Sequence, residues 1–303
     1  MKLIALTTIA LATMAVCTAL HAQDMEPRSY SNAPTGMSFV IIGYGHTSGS
    51  ILLDPSLPIE NASVESDSGV LGLATTLDVF GKSSKLQFLL PYGSLDATGT
   101  LFGQQRERSV TGFGDPTFRF SVNFFGAPAL TMAEFKDYKQ DFIIGATLGI
   151  GVPLGQYDDT KLANLGSNRW SLNPEIGFSK AFDRLTAEIA PGVAFYTDNG
   201  DFLYGHTRQQ APLYYVKGNL SYSIAPACWV ALSGRYFSGA HSTVDDMEND
   251  DRQAGTRFGL TFAFPLSRHQ SVKIYGSTGF DSDWNNDLKA FGMAWQYRFG
   301  GGF

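Results

Sequence analysis

The residues best suited to catalysis in this sequence are its histidines. After residue 22 these are His46, His206, His241 and His269. A hydrolytic site of the Ser-His type needs a serine within hydrogen-bond reach of the histidine and a third polar group that orients the ring. The sequence has no G-x-S-x-G motif and no pair of histidines at metal-ligand spacing. We therefore predict no enzyme, metal site or cofactor, and keep a lipid-modifying membrane enzyme as the weaker alternative.

A second candidate set of ligands is the acidic stretch 241–253. It holds five carboxylates, Asp245, Asp246, Glu248, Asp250 and Asp251. Carboxylates at this density can bind Ca²⁺, but a dedicated calcium loop has fixed ligand spacing around a central glycine, which this stretch lacks. We predict a solvated acidic loop.

Other charged residues alternate with large apolar ones, as Arg119 does between Phe118 and Phe120. In a strand, such charges face away from the apolar side, towards water or a polar interior. We assign to this face Asp78, Arg119, Glu175, Glu188, Lys217, Arg235, Arg257, Lys273 and Arg298. All but Asp78 and Arg298 are candidates to line a solute path. A network of ion pairs that fills the interior, joining Glu175 and Glu188 to Arg119, Lys217 or Arg235, is an equally good explanation.

Strand-like segments with this period-two alternation repeat along the chain. The last of them has Phe291, Met293, Trp295, Tyr297 and Phe299 on one face. We predict about twelve strands, at 37–47, 69–80, 85–95, 115–125, 141–153, 169–181, 184–197, 212–225, 228–239, 254–266, 270–282 and 288–299.

The links between these strands alternate in length. Long polar links follow the odd-numbered strands, at 48–68, 96–114, 154–168, 198–211 and 240–253, with a shorter one near 283–287. The links after the even-numbered strands are mostly tight, at 81–84, 182–183, 225–227 and 267–269. The exception is 126–140, where 134–138 is expected to form one helical turn. Tight turns at one end and long loops at the other are typical of outer-membrane barrels.

The polar faces of these strands distinguish a membrane barrel from a soluble sandwich or lipocalin-like barrel. They carry mostly Gly, Ser, Thr and Ala with scattered charges, whereas a sheet facing solvent normally carries many more Lys, Glu and Asp. The sequence therefore predicts an all-β fold, a transmembrane antiparallel up-and-down barrel. Its apolar face would contact lipid, and a terminal Phe303 is common in such barrels.

The N-terminus has the layout of a secretory signal peptide. Lys2 precedes an apolar run to about Leu20, and Ala22 ends the expected leader, although cleavage after Ala19 remains open. We predict a signal peptide at 1–22 and a barrel at 23–303, exported to the outer membrane of a Gram-negative cell. Cys228 is the only cysteine after the leader, so no intramolecular disulfide is expected. The net charge of −6 argues against nucleic-acid binding.

Four short motifs occur in the middle of the chain. They are Gly112-Phe113-Gly114-Asp115-Pro116, the stretch from Gly126 to Phe135, Pro153-Leu154-Gly155-Gln156-Tyr157, and the stretch from Asn164 through Gly166, Asn168, Arg169 and Trp170 to Pro174 and Glu175. In this order they resemble the MetA-pathway phenol degradation family of outer-membrane transporters. The resemblance covers about a third of the chain and implies a barrel that admits small hydrophobic compounds.

These motifs also have plain structural explanations. Gly112 and Gly114 permit tight backbone geometry, Asp115 can cap a turn, and Pro116 is tolerated at the first residue of a strand. We therefore favour a loop-to-strand corner over a binding role. Trp170 is expected at the membrane interface. For Asn168 and Arg169 we favour loop fixation over contact with a solute or with lipopolysaccharide phosphates.

About twelve strands enclose a lumen wider than that of an eight-stranded barrel and narrower than that of a general porin. We expect passive passage of small hydrophobic or aromatic solutes, with a structural or adhesive barrel as the alternative. The expected partners are membrane lipid, lipopolysaccharide, the barrel assembly machinery through Phe303, and the solute.

Overall fold

The computed structural model describes residues 25–50, 59–101, 103–281 and 287–302. The predicted signal peptide, residues 51–58 of the predicted link 48–68, residues 283–286 of the predicted link near 283–287, and the terminal Phe303 lie outside the described residues. The strands are β1 (Met37–Ser50), β2 (Ile59–Val79), β3 (Lys82–Leu101), β4 (Gln104–Phe113), β5 (Thr117–Phe125), β6 (Phe142–Gly151), β7 (Ser171–Phe182), β8 (Leu185–Tyr196), β9 (Asn199–Phe202), β10 (His206–Gln210), β11 (Leu213–Ala225), β12 (Cys228–Gly239), β13 (Ser242–Val244), β14 (Met247–Glu248), β15 (Gln253–Pro265), β16 (Gln270–Asp281) and β17 (Asp287–Gly300).

Antiparallel pairing closes the main sheet into a barrel of 12 strands. The first strand pairs with the last along its whole length, from Met37 opposite Gly300 to Ser50 opposite Asp287. The long strand β3 pairs with β2 on one side and with two successive strands on the other, β5 near its start and β4 near its end. Together β4 and β5 fill one position of the barrel, and the corner between them is residues 114–116.

All twelve predicted strands are present, most with ends within about two residues of the prediction, which is ordinary uncertainty for strand ends. The long links were predicted less well. Much of 96–114 is strand, because β3 and β4 continue as a hairpin, and β2 begins ten residues before its predicted start. Polar residues pair there beyond the apolar band, Thr98 with Glu107 and Thr100 with Gln105. The polarity of this stretch therefore did not indicate a loop.

Two further predicted loops contain a second sheet. Strands β9 and β10 lie in 198–211, strands β13 and β14 lie in 240–253, and the four form one small sheet in the order β14-β13-β10-β9. This sheet lies at the long-loop end of the barrel. The acidic stretch was predicted to be solvated, and this is wrong for Asp251, whose buried carboxylate accepts hydrogen bonds from the backbone and hydroxyl of Ser242, both at 2.6 Å.

The two faces of the barrel strands differ as the alternation predicts. Phe258 and Leu260 are 52% and 58% exposed, and Phe291 and Met293 are similarly exposed on β17. Neighbouring residues of opposite parity, such as Ala263, are buried. The apolar face therefore points outward, as in a lipid-contacting barrel.

The link between β5 and β6 contains a short helix, α1 (Met132–Phe135). Thr131 and Glu134 form a capping box at its start, so the turn begins two residues before the predicted 134–138. No helix in the described part of the chain is long and apolar enough to span a membrane.

Candidate functional site

Residues 25–36, the N-terminal segment, lie inside the barrel at the short-turn end, where β1 begins. The Tyr30 side chain is 1% exposed. Its hydroxyl donates to Glu175 Oε1 at 2.8 Å and lies 3.1 Å from Thr147 Oγ1. These partners project inward from β7 and β6. A buried tyrosine hydroxyl needs such a partner, and the barrel wall provides it.

Side chains of the barrel wall also satisfy the backbone of the N-terminal segment. Lys85 Nζ donates to the carbonyls on either side of Tyr30, at 2.9 and 3.0 Å. The Tyr30 N–H donates to Glu188 Oε1 at 3.3 Å, and Asn123 Nδ2 donates to the Tyr30 carbonyl at 3.2 Å. Buried backbone groups must be paired. Side chains of Lys85, Glu188 and Asn123 thus supply the backbone hydrogen bonds that strand pairing supplies in the barrel wall.

The start of the N-terminal segment contacts another part of the barrel wall. Lys273 Nζ on β16 lies 3.1 Å from Glu26 Oε1. Arg28 lies over the Trp229 ring of β12, 5.7 Å from its centroid. With Tyr30 held by β6 and β7, the segment therefore crosses the lumen from wall to wall. The nearby Lys273 ammonium lowers the pKa of Glu26 to about 2.

This ion pair predicts acid-induced release of the N-terminal segment. Because the pKa of folded Glu26 is below its ordinary value of 4.5, the pair stabilises docking above that pH, and the contribution is lost as the pH falls towards 2. We expect bilayer conductance to rise over this window. In Glu26→Gln the rise should be smaller, because that variant has no carboxylate to protonate. An identical rise in the variant would show that the pair of Glu26 and Lys273 does not hold the segment in place.

Two glycines make room for the Tyr30 ring. A Cβ at Gly177 would lie 1.9 Å from Tyr30 Cε2, and a Cβ at Gly145 would lie 2.8 Å from Tyr30 Cδ1. Atoms cannot approach this closely, so a side chain at Gly177 and the docked ring exclude each other.

We predict that Gly177→Ala displaces the N-terminal segment and increases entry of a small sugar into proteoliposomes. Gly149→Ala is the matched control, because Gly149 also faces the interior and its added Cβ would meet only ordinary contacts, the nearest at 3.4 Å. Equal sugar entry for the two variants would contradict the prediction.

The corner between β4 and β5 holds the loop 152–170. The Asp115 carboxylate accepts hydrogen bonds from the backbone N–H of Gly155 at 2.9 Å, and from the N–H and hydroxyl of Ser167 at 2.7 and 2.6 Å. The backbones of Gly114 and Gly155 are in contact, since a Cβ at Gly155 would lie 2.7 Å from the Gly114 carbonyl carbon. The predicted corner therefore also clamps a loop.

Two other motif glycines are equally crowded. A Cβ at Gly112 would lie 1.8 Å from Gln156 Oε1, and one at Gly166 would lie 2.6 Å from the Gly155 carbonyl carbon. Pro116 precedes β5, and its carbonyl accepts from the Val152 N–H at 2.9 Å. These residues join the loop to the corner.

Within the loop, Asn164 is buried and its side chain makes three hydrogen bonds, two with the backbone of Asp158 and one with the Lys161 carbonyl. Leu165 packs in an apolar cluster with Leu95 and Val110, which places the loop inside the long-loop half of the barrel.

The last loop residues fix it to neighbouring loops. Asn168, with a φ of 52°, donates to Asn199 Oδ1 at 2.9 Å. Arg169 donates to Gln210 and lies over the Tyr196 ring. Both contacts join the loop 152–170 to its neighbours. Trp170 is half exposed at the start of β7, and Pro174 lies within β7 opposite Leu148 of β6.

A cavity of about 260 Å³ lies between the N-terminal segment and the long-loop layer. Of the predicted path residues, Arg119, Glu175, Lys217, Arg235 and Arg257 line it. Glu188 and Lys273 instead bind the N-terminal segment. Asp78 and Arg298 make hydrogen bonds at short turns, to the Gly81 N–H and the Arg268 carbonyl.

Glu175 connects the floor of the cavity to the N-terminal segment. It forms an ion pair with Lys217 as well as its hydrogen bond with Tyr30. The pairing with Lys217 was one of the predicted alternatives. Both partners are nearly buried, and in such a pair each charge depends on the other.

The histidines in the described part of the chain lie outside this cavity. His46 Nδ1 lies 3.1 Å from Asp67 Oδ1 on the outer face, and the ligand atoms of His46, Glu65 and Asp67 lie within 4.8 Å of one another. The half-buried His46 and the exposed Glu65 and Asp67 form a group that could hold a metal ion. His206 and His241 lie beside Asp245 and Glu248.

Comparison with known proteins agrees with this architecture. Residues 49–299 match the model of the family described as "Putative MetA-pathway of phenol degradation". The chain belongs to this family. No curated protein matches it by sequence.

Solved structures with this fold include three outer-membrane barrels. The COG4313 outer membrane channel from Pseudomonas putida F1 matches with a TM-score of 0.77 at 21% identity, over 90% of this chain and 99% of that one. The translocator domain of the autotransporter NalP from Neisseria meningitidis matches with a TM-score of 0.55 at 8% identity, over 96% and 99%. The transport unit of AIDA-I from Escherichia coli matches with a TM-score of 0.53 at 8% identity, over 96% and 99%. This member of the MetA-pathway family therefore has the same barrel fold as these proteins.

Several residues of this site were not predicted from the sequence. Tyr30 lies in a short stretch without periodicity. Arg208 and Gln210 lie in a segment predicted to be a loop, and they reach the cavity through the small outer sheet. The His46 group needs the register of β1 and β2, which places His46 opposite Asp67.

Proposed function

We propose that this protein is an outer-membrane channel for passive uptake of small hydrophobic or aromatic compounds. The observation that carries the proposal is the cavity, which is enclosed by a transmembrane barrel and walled by aromatic and polar side chains. Family membership and the likeness to a protein described as an outer membrane channel support it. Lipid and lipopolysaccharide would surround the barrel, with the short turns in the periplasm and the long loops outside.

The N-terminal segment closes the periplasmic end of the proposed channel, and this determines how a solute could pass through it. A solute that follows the barrel axis must displace the N-terminal segment, since this segment crosses the lumen. The cavity volume of about 260 Å³ is below the range of about 300–1,000 Å³ that accepts drug-sized ligands. The proposal therefore limits the solute to one ring or its equivalent in size.

The test is solute entry into proteoliposomes that carry the refolded protein, with empty liposomes to correct for leak. The solutes are benzyl alcohol, benzoate and a small sugar. Protein-dependent entry of either aromatic compound in preference to the sugar is the expected result. Absence of protein-dependent entry of both aromatic compounds, from a barrel shown to be folded, would refute the proposal.

The alternative is a structural or adhesive barrel that transports nothing. The N-terminal segment and the loop 152–170 favour this alternative, because they occupy both ends of the lumen. The same experiment distinguishes the two functions, since the alternative predicts that entry with the protein equals the leak into empty liposomes.

A further inference from the structure

Three side chains with metal-ligand atoms lie together on the outward face of β1 and β2. His46 is directly opposite Asp67 in the register of the two strands, and Glu65 precedes Asp67 by two residues on the same face. His46 Nδ1 lies 3.1 Å from Asp67 Oδ1, and His46 Nε2 lies 3.9 Å from Glu65 Oε1. Because alternate residues of a strand share a face, the pairing of β1 with β2 holds the three side chains side by side.

The separations within this group suit a zinc ion. One ligand atom from each of His46, Glu65 and Asp67 can be chosen so that all three lie within 4.8 Å of one another. In a tetrahedral zinc site, with bonds of about 2.0–2.2 Å, two ligand atoms are about 3.3 Å apart. The ligand atoms therefore need to approach one another by no more than about 1.5 Å. Both carboxylates are exposed, which leaves room for the side-chain rotation that this requires.

Tyr44 orients one carboxylate of the group. It precedes His46 by two residues on the outward face of β1, and its hydroxyl donates a hydrogen bond to Asp67 Oδ1. Metal-binding side chains are commonly held by such outer hydrogen bonds, which fix their orientation. The Asp67 carboxylate is thus positioned beside the imidazole by a residue that is not itself a ligand.

The group also contains a repulsion that a cation would reduce. Glu65 is directly opposite Asp96 of β3, and both carboxylates are exposed on the outward face. Like charges directly opposite each other destabilise a sheet. Lys289, on the other side of β1, pairs with Asp287 at 3.4 Å. A divalent cation between Glu65 and Asp67 would weaken the repulsion among the neighbouring carboxylates.

The group lies where the apolar band ends towards the long loops. On the outward face of β1, the exposed Ile42 and Tyr44 precede His46, and Ser48 follows it. Tyrosines of such barrels mark the border between lipid and water. A metal ion bound by His46 is therefore accessible from water.

We propose that His46, Glu65 and Asp67 bind a divalent cation of the zinc class, with water at the remaining coordination position. An imidazole nitrogen combined with carboxylate oxygens suits Zn²⁺, whereas Ca²⁺ and Mg²⁺ are bound through oxygen. The cation joins β1 to β2 where the two strands extend beyond the lipid. The sequence alone predicted no metal site, because the ligands come from two strands whose register it does not give.

The test is calorimetric titration of Zn²⁺ into the untagged, refolded barrel in detergent. We expect one Zn²⁺ to bind per barrel. His46→Gln should weaken binding at least about tenfold, because the loss of even an outer hydrogen-bond partner of a metal ligand costs about 10–100-fold in affinity. Glu65→Gln should have a similar effect and provides a second variant if His46→Gln does not fold.

His241→Gln is the matched control. It also removes a histidine beside a carboxylate, since His241 Nε2 lies 3.6 Å from Glu248 Oε1, but within the described residues no third ligand completes a metal group there. It should leave Zn²⁺ binding unchanged. Absence of Zn²⁺ binding by the folded barrel, or equal affinity in the two histidine variants, would overturn the inference. Displacement of Zn²⁺ by an equal concentration of Ca²⁺ would also overturn it, because carboxylates alone would then account for the binding.

Discussion

Deleting residues 25–33 will raise the entry of a small sugar into proteoliposomes by at least about tenfold, because the deletion removes the part of the N-terminal segment that crosses the lumen. The docked segment is held by Lys85, Glu188, Asn123 and Glu175. Hydrogen bonds to charged groups contribute about 1.5–3 kcal/mol each. Open barrels are therefore a small minority of the intact protein.

A second version of this experiment separates loss of contacts from loss of length. Replacing residues 25–33 by glycine and serine keeps the chain length and removes the side chains that bind the wall. The replacement should admit the sugar nearly as fast as the deletion does. Heat-dependent gel mobility will show whether each barrel is folded. Sugar entry at the parental rate in a folded deletion variant would contradict the assignment of this segment as the barrier.

Asp115→Ala will release the loop 152–170 from the barrel interior. The substitution removes three hydrogen bonds from one carboxylate, to Gly155 and to Ser167. Hydrogen bonds to a charged acceptor are the strong ones, so the cost to loop docking is about 3 kcal/mol or more. The measurement is the rate of trypsin cleavage after Lys161 in the folded protein. We expect an increase of about a hundredfold, since cleavage follows the population of the open loop.

Asp78→Ala is the control for this second prediction. Asp78 also caps backbone, accepting from the Gly81 N–H at 2.7 Å, but it lies at the short turn between β2 and β3, far from the loop. Its substitution should leave cleavage after Lys161 unchanged. Asp115→Asn keeps one acceptor oxygen and should give an intermediate rate. If Asp115→Ala and Asp78→Ala are cleaved equally fast, Asp115 is not the clamp.

The barrel itself was readable from the sequence because alternation is local information. Phe118, Arg119 and Phe120 define the two faces of a strand without reference to any other part of the chain. The inward placement of Glu175 and Lys217 followed from the same rule. In contrast, polarity failed at the hairpin of β3 and β4, because strands that continue beyond the lipid no longer need an apolar face.

The contents of the lumen were not readable, because they depend on contacts between distant residues. Glu26 and Lys273 are 247 positions apart, and neither residue type indicates a partner in advance. Gly177 illustrates the same limit. It occupies an inward position like many other small residues, and only the docked Tyr30 ring explains why it is a glycine.

The contact between Glu26 and β16 has a consequence for the order of assembly. Lys273 is part of the second-to-last strand, so the N-terminal segment cannot complete its wall-to-wall contacts until nearly the entire chain has been delivered and paired. Contacts of such long sequence separation form late. The N-terminal segment is thus the last part of the barrel to complete its contacts, and a barrel arrested before β16 is added would lack the contact of Glu26 that anchors this segment.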